Sequence, residues 1–242
     1  MKLLIIISNY CQNGPANIVA SIAGELSQKG HEIFIAADLQ NKRNRLPFIR
    51  NVRYIDIPLD RKRVITWRGI GLLVQGYLQL SRLHRENTFE LIHVHQRIPL
   101  IIGRLLGWRY KIPVLVTLHN IFNPLNLANW LYRLGDYWIA VSRSVQEHSI
   151  RKFKISNDRI FVINNGIDVG TVPDLTSDSR VPVAKEGFQI LTVAGLRKQK
   201  ALHRLILSAK KVIAAFPEAG FLIAGTGKLE RKLKKLARRN KV

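Results

Sequence analysis

Carboxylates are scarce in this chain. Its 242 residues hold 16 Asp and Glu against 39 Lys and Arg, a formal net charge of +23. An imbalance of that size implies attraction to polyanions: nucleic acid, an anionic membrane surface or phosphorylated substrates. Cysteine is almost missing as well. Cys11 stands alone, which excludes a disulfide framework and fits a reducing compartment. Long apolar runs are also lacking. The opening run 1–8 has one cation, Lys2, and Asn9, Gln12 and Asn13 follow at once, too short for a signal peptide. It reads instead as a buried parallel strand. The best candidate for a membrane span, 98–108, is interrupted by Arg104 and falls well short of the ~20 apolar residues a span needs. No internal repeat and no low-complexity segment stand out.

What is present is a folded composition, 47% hydrophobic and 8% aromatic, in a chain long enough for one large core or two modest ones. Strands and helices alternate from the start. Strands are expected at 2–8, 31–36, 52–58, 89–94, 113–118, 137–141 and 160–163. Helices are expected at 16–29 (closed by Gly30), 69–85, 99–106, 125–134 and from Ser142 or Ser144 to about 153. Such alternation is the mark of a doubly wound parallel sheet with helices on both faces. Residues 171–187 carry Pro173, Pro182, Ser177, Ser179, Asp174 and Asp178 with no apolar period and read as a linker. The rhythm then restarts with strands at 188–193 and 220–224 and helices at 201–216 and 228–239. The expected organisation is therefore a first domain over 1–170, a linker over 171–187, and the start of a second domain over 188–242.

Several segments have residue types suited to chemistry. Asn13-Gly14-Pro15 leads from the first strand into a helix, where a glycine lets backbone N–H groups approach an anion; a plain Gly-Pro turn is the alternative. His93 and His95 sit two apart on one strand and share a face, but no Cys, Asp or third His lies near them at ligand spacing, so no metal is expected. His95 and His119 each fall at a strand's carboxyl end, where open α/β sheets bind ligands. Gly225-Thr226-Gly227-Lys228 fails the P-loop pattern at Leu222 and Leu229, and fails the dinucleotide fingerprint at Glu230.

Taken together and in order, Asn13-Gly14-Pro15, Gly30-His31-Glu32-Ile33, Leu91-Ile92-His93-Val94-His95, Val116-Thr117-Leu118-His119-Asn120, Asn164-Asn165-Gly166-Ile167-Asp168 and Leu196-Arg197-Lys198-Gln199-Lys200 resemble the retaining glycosyltransferases of family 4, which have the two-domain GT-B fold. The resemblance implies an α/β chain with one complete Rossmann-like domain on the acceptor side and the beginning of a second on the donor side. It implies roles for His119 in positioning donor and acceptor. Gly14, Lys200, Arg197, Gly225 and Gly227 are implied near the donor's phosphates, and Asn13, His95 and Asn120 on the acceptor side or the cleft. Two departures stand out. Asn13 replaces the first glycine of the family's Gly-Gly turn, and Gly195 stands where the family has an Arg ahead of Lys200. The family's Glu-x7-Glu element has no counterpart in these residues.

The implied reaction is transfer of a sugar from a nucleotide diphosphate sugar to a hydroxyl of a glycan or a lipid-linked acceptor, with retained configuration and neither cofactor nor metal. The basic stretches 42–53 and 61–68, the second with Trp67, precede an apolar helix and suit an anionic membrane surface, hence an expected cytoplasmic location on the inner face of the membrane. A truncated or degenerate transferase that binds without turnover is the second reading, supported by Gly195. A basic nucleic-acid-binding α/β protein is the third, though no recognised nucleic-acid motif appears.

Overall fold

The computed structural model describes residues 1–40, 45–59, 66–167 and 188–242, apart from the side chain of Arg68. The expected linker 171–187, Asp168, and parts of the basic stretches 42–53 and 61–68 lie outside the described residues. Two compact units divide the chain, Met1–Gly170 and Thr171–Val242.

The first unit is built on seven parallel strands: β1 (Lys2–Asn9), β2 (Glu32–Asp38), β3 (Val52–Asp56), β4 (Leu91–Val94), β5 (Val114–Leu118), β6 (Tyr137–Ala140) and β7 (Ile160–Val162). Their spatial order is β3-β2-β1-β4-β5-β6-β7. β1 lies inside the sheet, with Ile5 level with Ile35 of β2 and His93 of β4. Alternate residues of β1 enter two cores. Leu3, Ile5 and Ile7 meet Ala16, Val19 and Ala23 of helix α1 (Gly14–Gln28), while Leu4 and Ile6 join the core under the other helices. Burial on both faces explains why β1 is apolar throughout.

Helices α2 (Trp67–Asn87), α3 (Arg97–Tyr110) and α4 (Arg143–Phe153) cover that second face, through Leu80, then Leu100, Ile102 and Leu106, then Val145 and Phe153. Ser142 caps α4 by accepting the Val145 N–H at 3.3 Å. Arg104, which interrupts the apolar segment of α3, is accounted for by its partners. Its Nη1 donates to Asp136 Oδ1 at 2.7 Å and its guanidinium lies 4.9 Å from the Trp108 ring centre. The other oxygen of Asp136 accepts the Val114 N–H at 2.9 Å. Among the described residues no helix is long and apolar enough to cross a membrane. The segment expected as a helix over 125–134 forms a 3₁₀-helix, Leu127–Leu134.

The second unit places two parallel strands, β8 (Gln189–Val193) and β9 (Gly220–Ala224), against α5 (Leu202–Ala215) and α6 (Glu230–Asn240). Leu196, Leu202, Ile206 and Leu233 form its core. On the opposite face, Leu191 and Val193 are 59% and 76% exposed.

α3 lies so close to the sheet that it needs its glycines. A Cβ at Gly107 would stand 2.6 Å from Val114 Cγ2 and 2.9 Å from the Ile112 carbonyl oxygen. Gly24 in α1 is different, since its added Cβ would meet Ile49 at an ordinary 3.9 Å. Gly107→Ala is therefore expected to destabilise the first unit by about 1–3 kcal/mol. Gly24→Ala is expected to stabilise it by up to about 1 kcal/mol through helix propensity. Urea unfolding of the two variants measures both signs.

Candidate functional site

The strand order reverses direction between β1 and β4, and at such a switch the carboxyl ends of parallel strands open a ligand crevice. The loops that follow β1, β4 and β5 bring Asn13, Gly14, His95, Gln96, His119 and Asn120 to this edge.

Asn13 caps α1. Its Oδ1 accepts the Ala16 N–H at 3.2 Å and its Nδ2 donates to Asn9 Oδ1 at 3.2 Å. The residue that replaces the family's glycine thus fastens the helix start to the end of β1. Gly14 is the first residue of α1 and is exposed, with nothing within 4 Å of an added Cβ. The chain itself imposes no glycine there, and the helix N-terminus behind it favours an anion.

Three histidines form the centre. His93 and His95 share a face as their spacing requires, their ring centres 4.3 Å apart. His93 Nε2 bonds Thr117 Oγ1 at 2.8 Å, and His95 Nδ1 bonds His119 Nε2 at 3.0 Å. Parallel pairing of β4 with β5, with His93 level with Leu115, brings together residues 24 positions apart. His95, expected to face a cleft, is instead enclosed at 1% exposure, and its Nε2 has no partner. An unpaired buried donor costs more than an unpaired acceptor. The proton of His95 therefore belongs on Nδ1, donating to His119. His119 then has its own proton on Nδ1, available to a ligand. Because the two facing nitrogens are spent on each other, they do not converge on a metal. Among the described residues, no group of three or more His, Cys, Asp or Glu is arranged to hold one.

All three rings are held neutral. Burial pushes His93 down to about 3, aided by the repulsion that a charged His119 would exert. Burial pushes His119 down to about 4, and drives His95 well below the ordinary histidine range with help from His93 and His119. Gln96, which sequence reasoning missed, accepts the Ser8 N–H at 3.0 Å and ties the end of β1 to the loop after β4. Its only sequence signal was its place directly after a strand-end histidine. Asn120 is exposed. The loop beyond it is anchored by His148 of α4, whose Nε2 bonds the Phe122 carbonyl at 2.8 Å.

In the second unit, Arg197 precedes and Lys200 ends a short 3₁₀-helix, Lys198–Lys200, after β8, and both are exposed. Gly225 and Gly227 follow β9. Their lack of side chains is explained by packing, since a Cβ would come 2.0 Å from the Ala194 oxygen and 2.6 Å from the Leu196 oxygen. The two glycines thus let the loops after β8 and β9 pack backbone to backbone, with Leu196 N–H donating to Thr226 O at 2.9 Å. Gly195 is exposed, and an added Cβ would stand 3.8 Å from Arg197 Nε. Ala201 sits at φ 50° and ψ 28°, a left-handed conformation that strains an alanine.

Seven parallel strands with helices on both faces, followed by a second βα unit, define an α/β chain of the GT-B class. The comparisons agree. The chain is similar in structure to sucrose-phosphate synthase from Thermosynechococcus elongatus, with a TM-score of 0.79 at 13% identity, covering 100% of this chain and 68% of that one. Anabaena HepE in complex with UDP and glucose gives 0.73 at 18% identity, covering 100% and 66%. The family model described as Glycosyltransferase Family 4 matches residues 12–171. The chain belongs to that family. In sequence it is 24% identical over 186 residues to a glycogen synthase of Mycobacterium tuberculosis, covering 70% of this chain and 44% of the relative. It is also 24% identical over 227 residues to a phosphatidyl-myo-inositol mannosyltransferase of Propionibacterium freudenreichii, covering 88% and 58%. The chain thus spans about half the length of these curated relatives.

Two outcomes are expected. Histidines with folded pKa values below the unfolded 6.5 bind fewer protons folded than unfolded, so their stability contribution is complete above pH 6.5. It is lost as pH falls toward 4 and then 3, by about 1.4 kcal/mol per pH unit per histidine. Urea midpoints between pH 7.5 and 4.5 should fall accordingly, and more gently in His93→Gln. Ala201→Gly should stabilise the second unit by roughly 0.5–1 kcal/mol by relieving the left-handed alanine, read as a raised thermal midpoint.

Proposed function

We propose that the protein to which this chain belongs transfers a sugar from a nucleotide diphosphate sugar to a hydroxyl of a glycan or lipid-linked acceptor, with retention and without a metal. The observation that carries the reading is the position of the family's segments. Gly14 and His119 follow β1 and β5, while Arg197, Lys200, Gly225 and Gly227 follow β8 and β9, all at carboxyl ends of parallel strands. UDP and glucose in HepE favour a nucleotide-sugar donor. The name of the mannosyltransferase relative favours a lipid-linked acceptor.

In this reading the open backbone at Gly14 and the α1 N-terminus receive an anionic group. The Nδ1–H of neutral His119 donates to a sugar oxygen or phosphate, and Asn120 lies beside it at the same loop. Arg197 and Lys200 offset the charge of the departing diphosphate, each charge-assisted bond contributing about 1.5–3 kcal/mol. Positioning and electrostatic stabilisation supply the catalysis. Arg197 Nε lies next to the position where the family's Arg would begin, so Arg197 takes over that role. The net charge of +23 and Trp67, 90% exposed at the start of α2 with Ile70 exposed on the next turn, support a cytoplasmic location at the inner face of a membrane.

Gly195 favours a second reading, a non-catalytic protein that binds without turnover. Incubation with a panel of nucleotide diphosphate sugars distinguishes the two. Release of nucleoside diphosphate supports transfer, binding without release supports the second reading, and absence of binding contradicts both. Lys200→Ala and Arg197→Ala are each expected to weaken donor binding about tenfold or more, measured by calorimetry. Unchanged affinity would remove these two residues from the donor site.

A further inference from the structure

A groove runs between edge strand β3 and helix α2, made of two cavities of about 370 and 570 Å³ that share Gln75 and Gln79. Its two ends differ in chemistry. The end at the carboxyl edge of the sheet sets Asp38, Gln40, Asp56 and the shared glutamines beside Pro58, Leu59 and Leu72, and among its described lining residues there is no cation. In a chain of +23 with 16 carboxylates, that is an unusual concentration of acceptors. These groups are already held in place. Asp56 Oδ1 accepts the Leu39 N–H at 3.0 Å and Oδ2 accepts from Gln40 Nε2. Asp38 Oδ1 accepts the Gln40 N–H at 3.0 Å, and Gln79 Nε2 donates to the Asp56 carbonyl at 3.0 Å. Oriented carboxylates and carboxamides suit the paired hydroxyls of a sugar and disfavour phosphate.

The other end sets Ile55, Val74, Leu78 and Leu83 along its length, with Arg82 and Glu86 as its charged lining. Its room comes partly from Gly71 in α2. A Cβ there would meet nothing within 4 Å, whereas Gly76 five residues on is occupied by packing, with Ile102 Cδ1 at 3.2 Å from its added Cβ. A helix-interior glycine costs about 1 kcal/mol relative to alanine. Packing accounts for the one at 76, and packing within the chain does not account for the one at 71. Val74 and Leu78 continue the exposed line of Trp67 and Ile70 on the same helix face.

We infer that this groove is an acceptor subsite for an amphiphilic saccharide, with sugar hydroxyls at Asp38, Asp56 and the glutamines, and the apolar aglycone along Gly71, Val74 and Leu78. The inference rests on the transferase reading and narrows its acceptor to a glycan with an attached apolar chain.

Alkyl glycosides test it. Calorimetry on the whole chain compares n-octyl with methyl β-glycosides of glucose, galactose, mannose and N-acetylglucosamine, with the sugar-free detergent tetraethylene glycol monooctyl ether as control. At least one octyl glycoside should bind tenfold or more tighter than its methyl counterpart and than the sugar-free detergent. Gly71→Leu, which fills the groove with an unchanged or raised thermal midpoint, should abolish the octyl gain. Asp38→Asn, which keeps Oδ1 for the Gln40 N–H, should abolish the preference over the sugar-free detergent. Equal binding of the detergent, or glycoside binding that survives both substitutions, overturns the inference, as does binding by no member of the panel. Nucleotide-sugar binding measured on the same samples separates the two levels. Donor bound without any glycoside defeats the groove alone, and neither bound defeats the transferase reading with it.

Discussion

Placement of β1 between β2 and β4 is the constraint on which the first unit depends. β1 is buried on both faces and paired in parallel on both sides, so its side chains supply two cores at once. Parallel pairing on both flanks forces the chain to leave β1 in one direction and return on the other side for β4. That reversal leaves an opening at the carboxyl edge. Asn13 and Gln96 then secure its two rims, one through the start of α1 and one through the Ser8 N–H. The close approach of α3, made possible by Gly103 and Gly107, holds β4 and β5 in the register that sets His95 against His119.

Burial decides the chemistry of that histidine pair. Charging either ring would place a cation in a buried surrounding, so both stay neutral. Neutrality fixes a proton arrangement in which His95 orients His119 and His119 presents one N–H donor. The group is thereby suited to binding and positioning. The second unit solves a different problem with the same βα motif. Its glycines at 225 and 227 let two loops meet backbone to backbone, which shapes the segment from Gly195 to Lys200.

Much of this was legible from residues. Unbroken apolar runs gave the parallel strands, Gly30 marked one helix end and Ser142 or Ser144 another helix start, and the alternation of elements gave the doubly wound class. The strand-end positions of His95 and His119 were readable too. Their hydrogen bond was not, because 24 residues separate them and only strand order makes them neighbours. The enclosure of His95 also escaped, since a histidine at a strand end looks the same whether a loop covers it or not. Gln96 and Asp136 act through backbone N–H groups of distant strands, a role that leaves no local pattern. The glycines at 225 and 227 invited a phosphate-loop reading, and packing against the loop after β8 gives them a sufficient cause.

Chemical-shift mapping of the labelled chain with nucleotide diphosphate sugars addresses the central claim that the carboxyl edge at the β1–β4 switch is the binding surface of the first unit. The account predicts that shifts in residues 1–167 concentrate at Gly14, Gln96, His119 and Asn120, with His119 Nδ1 remaining protonated. Shifts confined to the amino edge, around Met1, Glu90 and Ile112, or a His119 ring protonated only on Nε2, would contradict it.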